Sequence, residues 1–555
     1  MPNILTPASL WNNFDKSADT LPEVESTTQN NEIFYDRITF SGRNTEQGRV
    51  KIAAMFAYSQ PMSQEAVLIL PDSNKTVDSQ MLEFFVSRGY SALMVDYRGE
   101  WENSEFFTKY PEDISYANTA KCGRTKDYVD DSADKTCWYE WVAVGLFAIK
   151  YLRERVQSDK IAVVGIRDGG EIAWKLAFAD NLKCIVPVNA VGWKAYANIS
   201  KYSNEDLVLN EERYRFIAGI DSQAYAPNIK CPVLMLCSLY DDSFDYDRAF
   251  DTFSRINTAY LSESSIAYSI RSGMGIDSFG VDDMFLFLGK NLKNRQVFIP
   301  KPPVISVDVD EDSNLIAKIK CDTLGIVESC TTFFAEDNID FSLREWDLCP
   351  VKGFASTESA AYLNVYEKTG AIFVLSRAKY TNGFTVWSKT AVKKLSGRFR
   401  NNACKCKVLY NDKVDASGIF VAKNDGGISG VFYPEALELP QLVTKAFGVN
   451  GLYSEHGLST LRMNSPKYRP NENNMLSVDA FCDVSIDLTF IIKDMSTGEE
   501  YFNILSVVGG VWQNLILQST DFKTVNGATL DNFTGAYKFS ITCPIGFAVN
   551  NIMWL

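Results

Sequence analysis

Residues 160–177 read KIAVVGIRDGGEIAWKLA, and the fold of the first half of the chain turns on them. KIAVV (160–164) is a short apolar run of the kind a central parallel strand needs when both its faces are covered. Gly165 to Gly170 is a glycine-rich turn, and Glu171 to Ala179 has helical character. Strand, tight turn and helix in that order predict one unit of an α/β sheet. Working outward, AVLIL (66–70), SALMV (91–95), Cys184–Val188 and Val233–Leu236 supply four more short apolar strands. A helix is expected over about Val77 to Arg88, with Gly89 behind it as a C-cap candidate. Another is expected over Trp138 to Arg155, where Trp141, Val144, Phe147, Ala148 and Leu152 share a face. Five parallel strands with intervening helices describe a doubly wound sheet.

The pattern changes at Lys301-Pro302-Pro303. Proline removes a ladder donor, so this is a stiff junction rather than a strand. Beyond it VISVDVD (304–310), AAYLNVYE (360–367), AIFVLSRA (371–378) and FTVWS (384–388) read as strands, separated by Asn, Asp, Gly and Lys clusters. A second all-β stretch follows, with MLSVDAFCDVSIDLTFIIKD (475–494), YFNILSVVG (501–509) and WQNLILQSTDF (512–522). The expected organisation is an α/β domain over 1–300, a β-sandwich over 301–412 and a further all-β domain over 413–555.

A chain of 555 residues is too long for one core. Its formal charge of −14 repels phosphate backbones and anionic lipid heads, which argues against nucleic acid or a membrane surface as partner. No apolar run of about 18 residues is present. The first 25 residues lack a basic segment followed by an apolar one, so a cytoplasmic location is expected. Twelve cysteines lie largely in apolar strand-like runs, as in CPVLMLC (231–237), and are expected to be reduced and buried. One histidine, His456, leaves histidine-based metal chemistry almost without ligands. There is no Walker loop, dinucleotide fingerprint, EF-hand loop or H-E-x-x-H motif. No metal and no cofactor are expected.

Four stretches, in order, resemble the α/β-hydrolase superfamily, in particular its dienelactone-hydrolase-like and acetyl-xylan-esterase-like members. They are the strand and loop at 66–74, Asp96-Tyr97-Arg98-Gly99, the strand–turn–helix at 160–177, and CPVLMLCSLYDD (231–242). The resemblance implies an oxyanion loop at Asp72-Ser73, a nucleophile at the centre of Gly165-Ile166-Arg167-Asp168-Gly169, and a triad acid at Asp241 or Asp242, with Asp241 preferred. Arg167 stands where the nucleophile belongs. A guanidinium stays protonated and has no lone pair for attack, so the family's acyl-enzyme chemistry is lost at this position. The histidine expected after the last core strand is missing from IAYSIRSGMGIDSFGVDD (266–283). Asp168, one residue past the centre, is a weaker alternative nucleophile that would still need a base. Arg167 reads either as a structural partner of Asp168, Asp241 or Asp242, or as a recognition group for a carboxylate or phosphate. Arg98 reads as structural. Glu100 and Trp101 follow it where a small residue is usual, and are candidates for lining the cleft.

The last 44 residues, WQNLILQSTDFKTVNGATLDNFTGAYKFSITCPIGFAVNNIMWL (512–555), resemble the closing strands of jelly-roll carbohydrate-binding modules. On that resemblance Trp512, Leu515, Leu517, Phe522, Leu530, Phe539, Ile552 and Trp554 are expected in the core. The leading functional expectation is a non-catalytic protein that binds a carbohydrate or a small polar or anionic ligand. The alternatives are a hydrolase acting on carbohydrate esters by a non-standard constellation, and a scaffold whose cleft is filled.

Overall fold

The computed structural model describes residues 4–101, 105–197, 199–241, 244–270, 275–353, 355–413, the backbone of 420–421, 431–432, 440–455 and 457–555. The chain forms two compact units. One comprises residues 1–269 with 279–301 and 382–384; the other comprises 270–278, 302–381 and 385–555.

The first unit is built on nine strands: β1 (Glu23–Asn30), β2 (Ile33–Thr45), β3 (Gly48–Ser59), β4 (Ala66–Leu70), β5 (Ser91–Asp96), β6 (Ile161–Ile166), β7 (Cys184–Val188), β8 (Leu234–Ser238) and β9 (Ser265–Ser269). They form one sheet in the order β1-β2-β3-β5-β4-β6-β7-β8-β9. Strands β4 to β9 run parallel, and β1 to β3 add an antiparallel meander at one edge. Every residue of β4 to β9 is buried, as continuous apolar runs require.

Among the described residues, eight α-helices accompany the sheet: α1 (Pro7–Trp11), α2 (Ser79–Val86), α3 (Cys137–Val156), α4 (Asp168–Ala179), α5 (Glu211–Gly219), α6 (Ala249–Phe253), α7 (Thr258–Leu261) and α8 (Ser278–Lys293). Helix α3 is capped by Thr136, whose side chain accepts from the Tyr139 N–H, and it ends where Gln157 turns left-handed at φ 51°. Gly145 lets α4 approach closely: a Cβ there would fall 2.9 Å from Leu176 Cδ1. Phe84 and Phe85 of α2 pack against Phe285 of α8. The doubly wound α/β class expected from the sequence is therefore present, with six parallel strands where five were expected.

The second unit is antiparallel throughout its named strands. Its first part contains β10 (Val304–Val309), β11 (Leu315–Lys320), β12 (Val327–Glu336), β13 (Asp347–Cys349), β14 (Val351–Lys352), β15 (Glu358–Tyr362), β16 (Ala371–Tyr380), β17 (Thr385–Trp387) and β18 (Ala391–Lys394). These make one sheet of order β10-β11-β15-β14 and another of order β13-β12-β16-β17, with β18 also on β16. The remainder contains β19 (Val408–Tyr410), β20 (Phe420–Val421), β21 (Gln441–Thr444), β22 (Asn450–Ser454), β23 (Gly457–Thr460), β24 (Leu476–Cys482), β25 (Ile486–Asp494), β26 (Glu500–Val507), β27 (Gln513–Leu517), β28 (Ala536–Thr542) and β29 (Phe547–Trp554). Its sheets β21-β22-β29-β24-β27 and β20-β23-β28-β25-β26 enclose one core. Leu476 and Val478 of one sheet and Leu488, Phe490 and Ile492 of the other meet there.

Leu517, Phe522, Leu530, Phe539, Ile552 and Trp554 belong to that core, and Leu515 packs against it. Trp512 does not; it is half-buried on the opposite face of the same sheet. The reason is parity. Leu515 and Leu517 face the core, so residues at even positions of this strand face outward.

Candidate functional site

The carboxyl ends of β4, β6, β7 and β8 bring a compact charged cluster together, where an open α/β sheet places its ligands. Arg167 occupies the turn between β6 and α4 at φ 48°, ψ −111°, a backbone conformation sparsely used by side-chain-bearing residues. Glycines make that turn feasible. A Cβ on Gly165 would collide with the backbone of Gly169, one on Gly169 with the backbone of Leu70, and one on Gly170 would fall 2.5 Å from Ala190 Cβ. This strand-to-helix elbow is thus held tight by backbone contacts, with an arginine at its centre.

Arg167 reaches Asp241, three residues beyond β8. Its Nε donates to Oδ2 at 3.0 Å and its Nη2 to Oδ1 at 2.9 Å, a two-pronged pair. Nη1 lies 3.7 Å from Asp72 Oδ2. The Asp241 side chain is fully buried and that of Arg167 is 21% exposed.

Asp168 forms the second half of the cluster. Its Oδ2 accepts from Ser73 Oγ at 2.6 Å and from Lys126 Nζ at 2.8 Å, and its Oδ1 accepts from Lys194 Nζ at 2.7 Å. Lys126 Nζ also donates to Ser73 Oγ at 3.1 Å. Burial alone would raise the Asp168 pKa, but the charges of Lys194 and Lys126 outweigh it and hold the carboxyl well below the usual range. The reverse holds at Asp72, where burial and the negative charge of Asp168 push the pKa up against Arg167 and Lys126. Tyr97 OH donates to Pro71 O at 2.6 Å and ties down the loop that carries Asp72 and Ser73.

A buried polar network continues beneath Asp168 on α4. Glu171 accepts from the Gly192 N–H at 2.9 Å and from the Ser222 hydroxyl. Lys175 donates to Glu171 O at 2.9 Å and to Ser222 Oγ at 3.1 Å. Complete burial lowers the Lys175 pKa to about 8 and raises that of Asp221 to about 6.

Of the residues singled out from the sequence, Asp72, Ser73, Arg167, Asp168 and Asp241 meet in one place. Glu100 and Trp101 are exposed: Glu100 lies 3.5 Å from Lys121, and the Arg98 guanidinium sits over the Trp101 ring. Asp242 and His456 lie outside the described residues, as do 271–274 in the stretch where a family histidine was sought. Lys126 and Lys194, which neutralise Asp168, escaped sequence reading because each comes from a short irregular segment without a motif.

As for chemistry, the elbow centre offers a cation already committed to a carboxylate. A hydroxyl of the cluster, on Ser73, donates to a carboxylate whose basicity two lysines suppress.

No family model matches the chain, and no curated protein matches it either. Among solved structures, the chain is similar to an acetyl xylan esterase from Paenibacillus sp. R4, at 17% identity over 50% of this chain and 90% of that one, with a TM-score of 0.39. Acetyl xylan esterase 1 from Thermoanaerobacterium sp. JW/SL YS485 aligns at 17% identity over 52% of this chain and 94% of its own, with a TM-score of 0.40. A dienelactone hydrolase from Klebsiella pneumoniae aligns at 14% identity over 43% and 85%, with a TM-score of 0.28. The similarity to esterase and hydrolase structures therefore spans about half of this chain. No helix among the described residues is long and apolar enough to cross a membrane.

Proposed function

We propose that this chain is a non-catalytic protein built on a hydrolase-like scaffold, which binds a carbohydrate or another polar ligand and performs no acyl transfer at its elbow. The observation that carries this reading is the pairing of Arg167 with Asp241 through two hydrogen bonds. The residue in the nucleophile's place and the carboxylate in the acid's place neutralise each other, which leaves neither for chemistry. The cleft of the α/β unit is accordingly a filled scaffold, and ligand binding is assigned elsewhere on the chain.

One observation favours a second reading, hydrolysis of carbohydrate esters by a non-standard constellation: Ser73 Oγ lies within hydrogen-bond distance of both Lys126 and Asp168. In that reading Ser73 attacks the ester carbonyl and Asp168 takes its proton. The lysines oppose it, because they keep the carboxylate ionised and weakly basic.

Turnover of p-nitrophenyl acetate by wild type, S73A and R167S separates the two. The expected result is no turnover above the buffer rate in any of them, since R167S restores a hydroxyl but no base. Wild-type turnover that disappears in S73A would replace the first reading by the second.

A further inference from the structure

The sheet face that carries Trp512 is built unlike an inert outer surface. Strands β24 and β27 pair Asp479 opposite Asn514, and Phe481 and Trp512 follow two residues further along, Trp512 immediately before β27, with residues two apart along a strand about 7 Å from one another. The rings of Phe481 and Trp512 lie 5.5 Å apart at 45°. The indole rests over Gly451 of β22, where a Cβ would fall 2.5 Å from Trp512 Cη2. Its N–H is buried and has no hydrogen-bond partner among the described residues. Such a group is costly to leave unpaired.

Beside this aromatic pair stands an ordered polar set. Asp479 Oδ1 accepts from Asn514 Nδ2 at 2.8 Å, and its Oδ2 accepts from Asn551 Nδ2 at 2.6 Å. Asn514 Nδ2 also donates to Ser477 Oγ at 2.8 Å, which uses both its hydrogens and aims the amide oxygen as the remaining acceptor. Asn551 reaches this position through an irregularity in β29. The pairing with β24 shifts register between Ser477 and Asp479, and Asn551 sits at φ 46°. Bulges re-aim a side chain, and left-handed non-glycine residues collect where function requires them. Asn514 is exposed, and Asp479, Asn551 and Trp512 are half-buried, so the set meets solvent.

We propose that this face is a carbohydrate-binding site. It takes a neutral sugar ring whose apolar C–H face lies against Trp512 and whose hydroxyls, along one edge, meet Asp479, Asn514 and Asn551. An aromatic ring beside acceptor-rich polar groups matches a ligand that is apolar on its face and hydroxylated at its rim. The carboxylate of Asp479 disfavours acidic sugars. This inference rests on the ligand-binding reading above and assigns its site.

The test uses the full chain on an immobilised array of neutral hexose and pentose oligosaccharides, followed by calorimetric titration of the best-bound member. Binding by wild type is expected. W512A should weaken it at least about tenfold, as loss of a central aromatic anchor does. N514A, at an exposed position, should weaken it several-fold with a melting temperature within about 2 °C of wild type. W512F should recover part of the affinity. Undiminished affinity in both W512A and N514A would overturn this site while leaving sugar binding by the protein intact. Wild type that binds no member of the array would overturn both the site and the reading on which it rests.

Discussion

Replacing Arg167 by methionine keeps an unbranched, apolar stem, shorter than arginine's, and removes the charge. Asp241 is fully buried and accepts two hydrogen bonds from this guanidinium, so R167M removes the cation that faces a carboxylate in the protein interior. Breaking a buried pair from one side costs about 3–5 kcal/mol. Arg167 is one-fifth exposed, and water admitted at its position would partly solvate Asp241, which places the expected loss near the lower end, at about 3 kcal/mol. For a unit of this size that corresponds to a fall of roughly 5 °C in melting temperature. The double variant R167M/D241L replaces both charges by apolar side chains and should recover most of the loss, because the penalty lies in keeping the buried carboxylate without its guanidinium rather than in the absence of the pair. Differential scanning calorimetry of wild type, D241L, R167M and the double variant closes the cycle. Wild-type melting of R167M would refute the reasoning, and so would a double variant no more stable than R167M.

Three further expectations follow from buried groups. Glu336 is buried, which raises its pKa from 4.5 to about 7. Its contribution to stability is therefore complete below pH 4.5 and lost as pH rises through 7, so E336Q should gain on wild type by roughly 3 kcal/mol between pH 4 and pH 8 in denaturant titrations; a constant difference across that range would contradict this. Trp554 is in the core and donates from its indole nitrogen to Tyr468 O at 2.8 Å. W554A in the full chain should lose about 3–5 kcal/mol, and unchanged melting would contradict the core placement. All twelve cysteines are free, ten of them buried. Thiol labelling without reductant should modify Cys404 and Cys406 first and the others only after denaturation, and rapid native labelling of Cys184 or Cys231 would speak against it.

The parallel strands were legible because burial on both faces forces continuous apolar runs, and AVLIL and IAVVGI carry no competing signal. The meander at the sheet edge was not. All eight residues of β1, EVESTTQN, are exposed, and pairing with β2 rather than burial holds the strand in place. Helix α2 was expected over 77–88 but spans Ser79–Val86, because Asp78 caps it by accepting from the Gln80 N–H at 2.8 Å. The run 475–494 divides at Asp483 to Ser485 into β24 and β25, with Val484 largely exposed at the turn. Hydrophobicity suggested that AAYLNVYE continues as a strand, yet β15 stops at Tyr362. Leu363 and Val365 are buried through other pairings, their N–H groups donating to Leu315 O and Leu363 O. Trp512 was placed in the core by the resemblance to jelly-roll modules, although parity against Leu515 and Leu517 already pointed it outward.

At the elbow, backbone and side chain carried different information. Gly165, Gly169 and Gly170 announce a close approach of α4 to β6, the β4 loop and Ala190, and the approach is there. That packing sets the left-handed turn at Arg167, whatever side chain the residue bears. Strain of about 1–3 kcal/mol at such a residue persists where its surroundings over-determine it, and here the surroundings are main-chain contacts that no larger residue could make. Such an elbow is consequently evidence about how a strand and a helix meet, and carries no evidence about catalysis. The chemistry is decided by the group that projects from it and by what that group meets. The projecting group was visible as Arg167. Its partner Asp241 was one of several candidates, because a carboxylate at a strand end is common, and selecting it required the spatial order of β6, β7 and β8, which short apolar runs of similar composition do not encode. The lysines that disarm Asp168 come from segments with neither helical nor strand periodicity, and their roles follow from three-dimensional proximity alone.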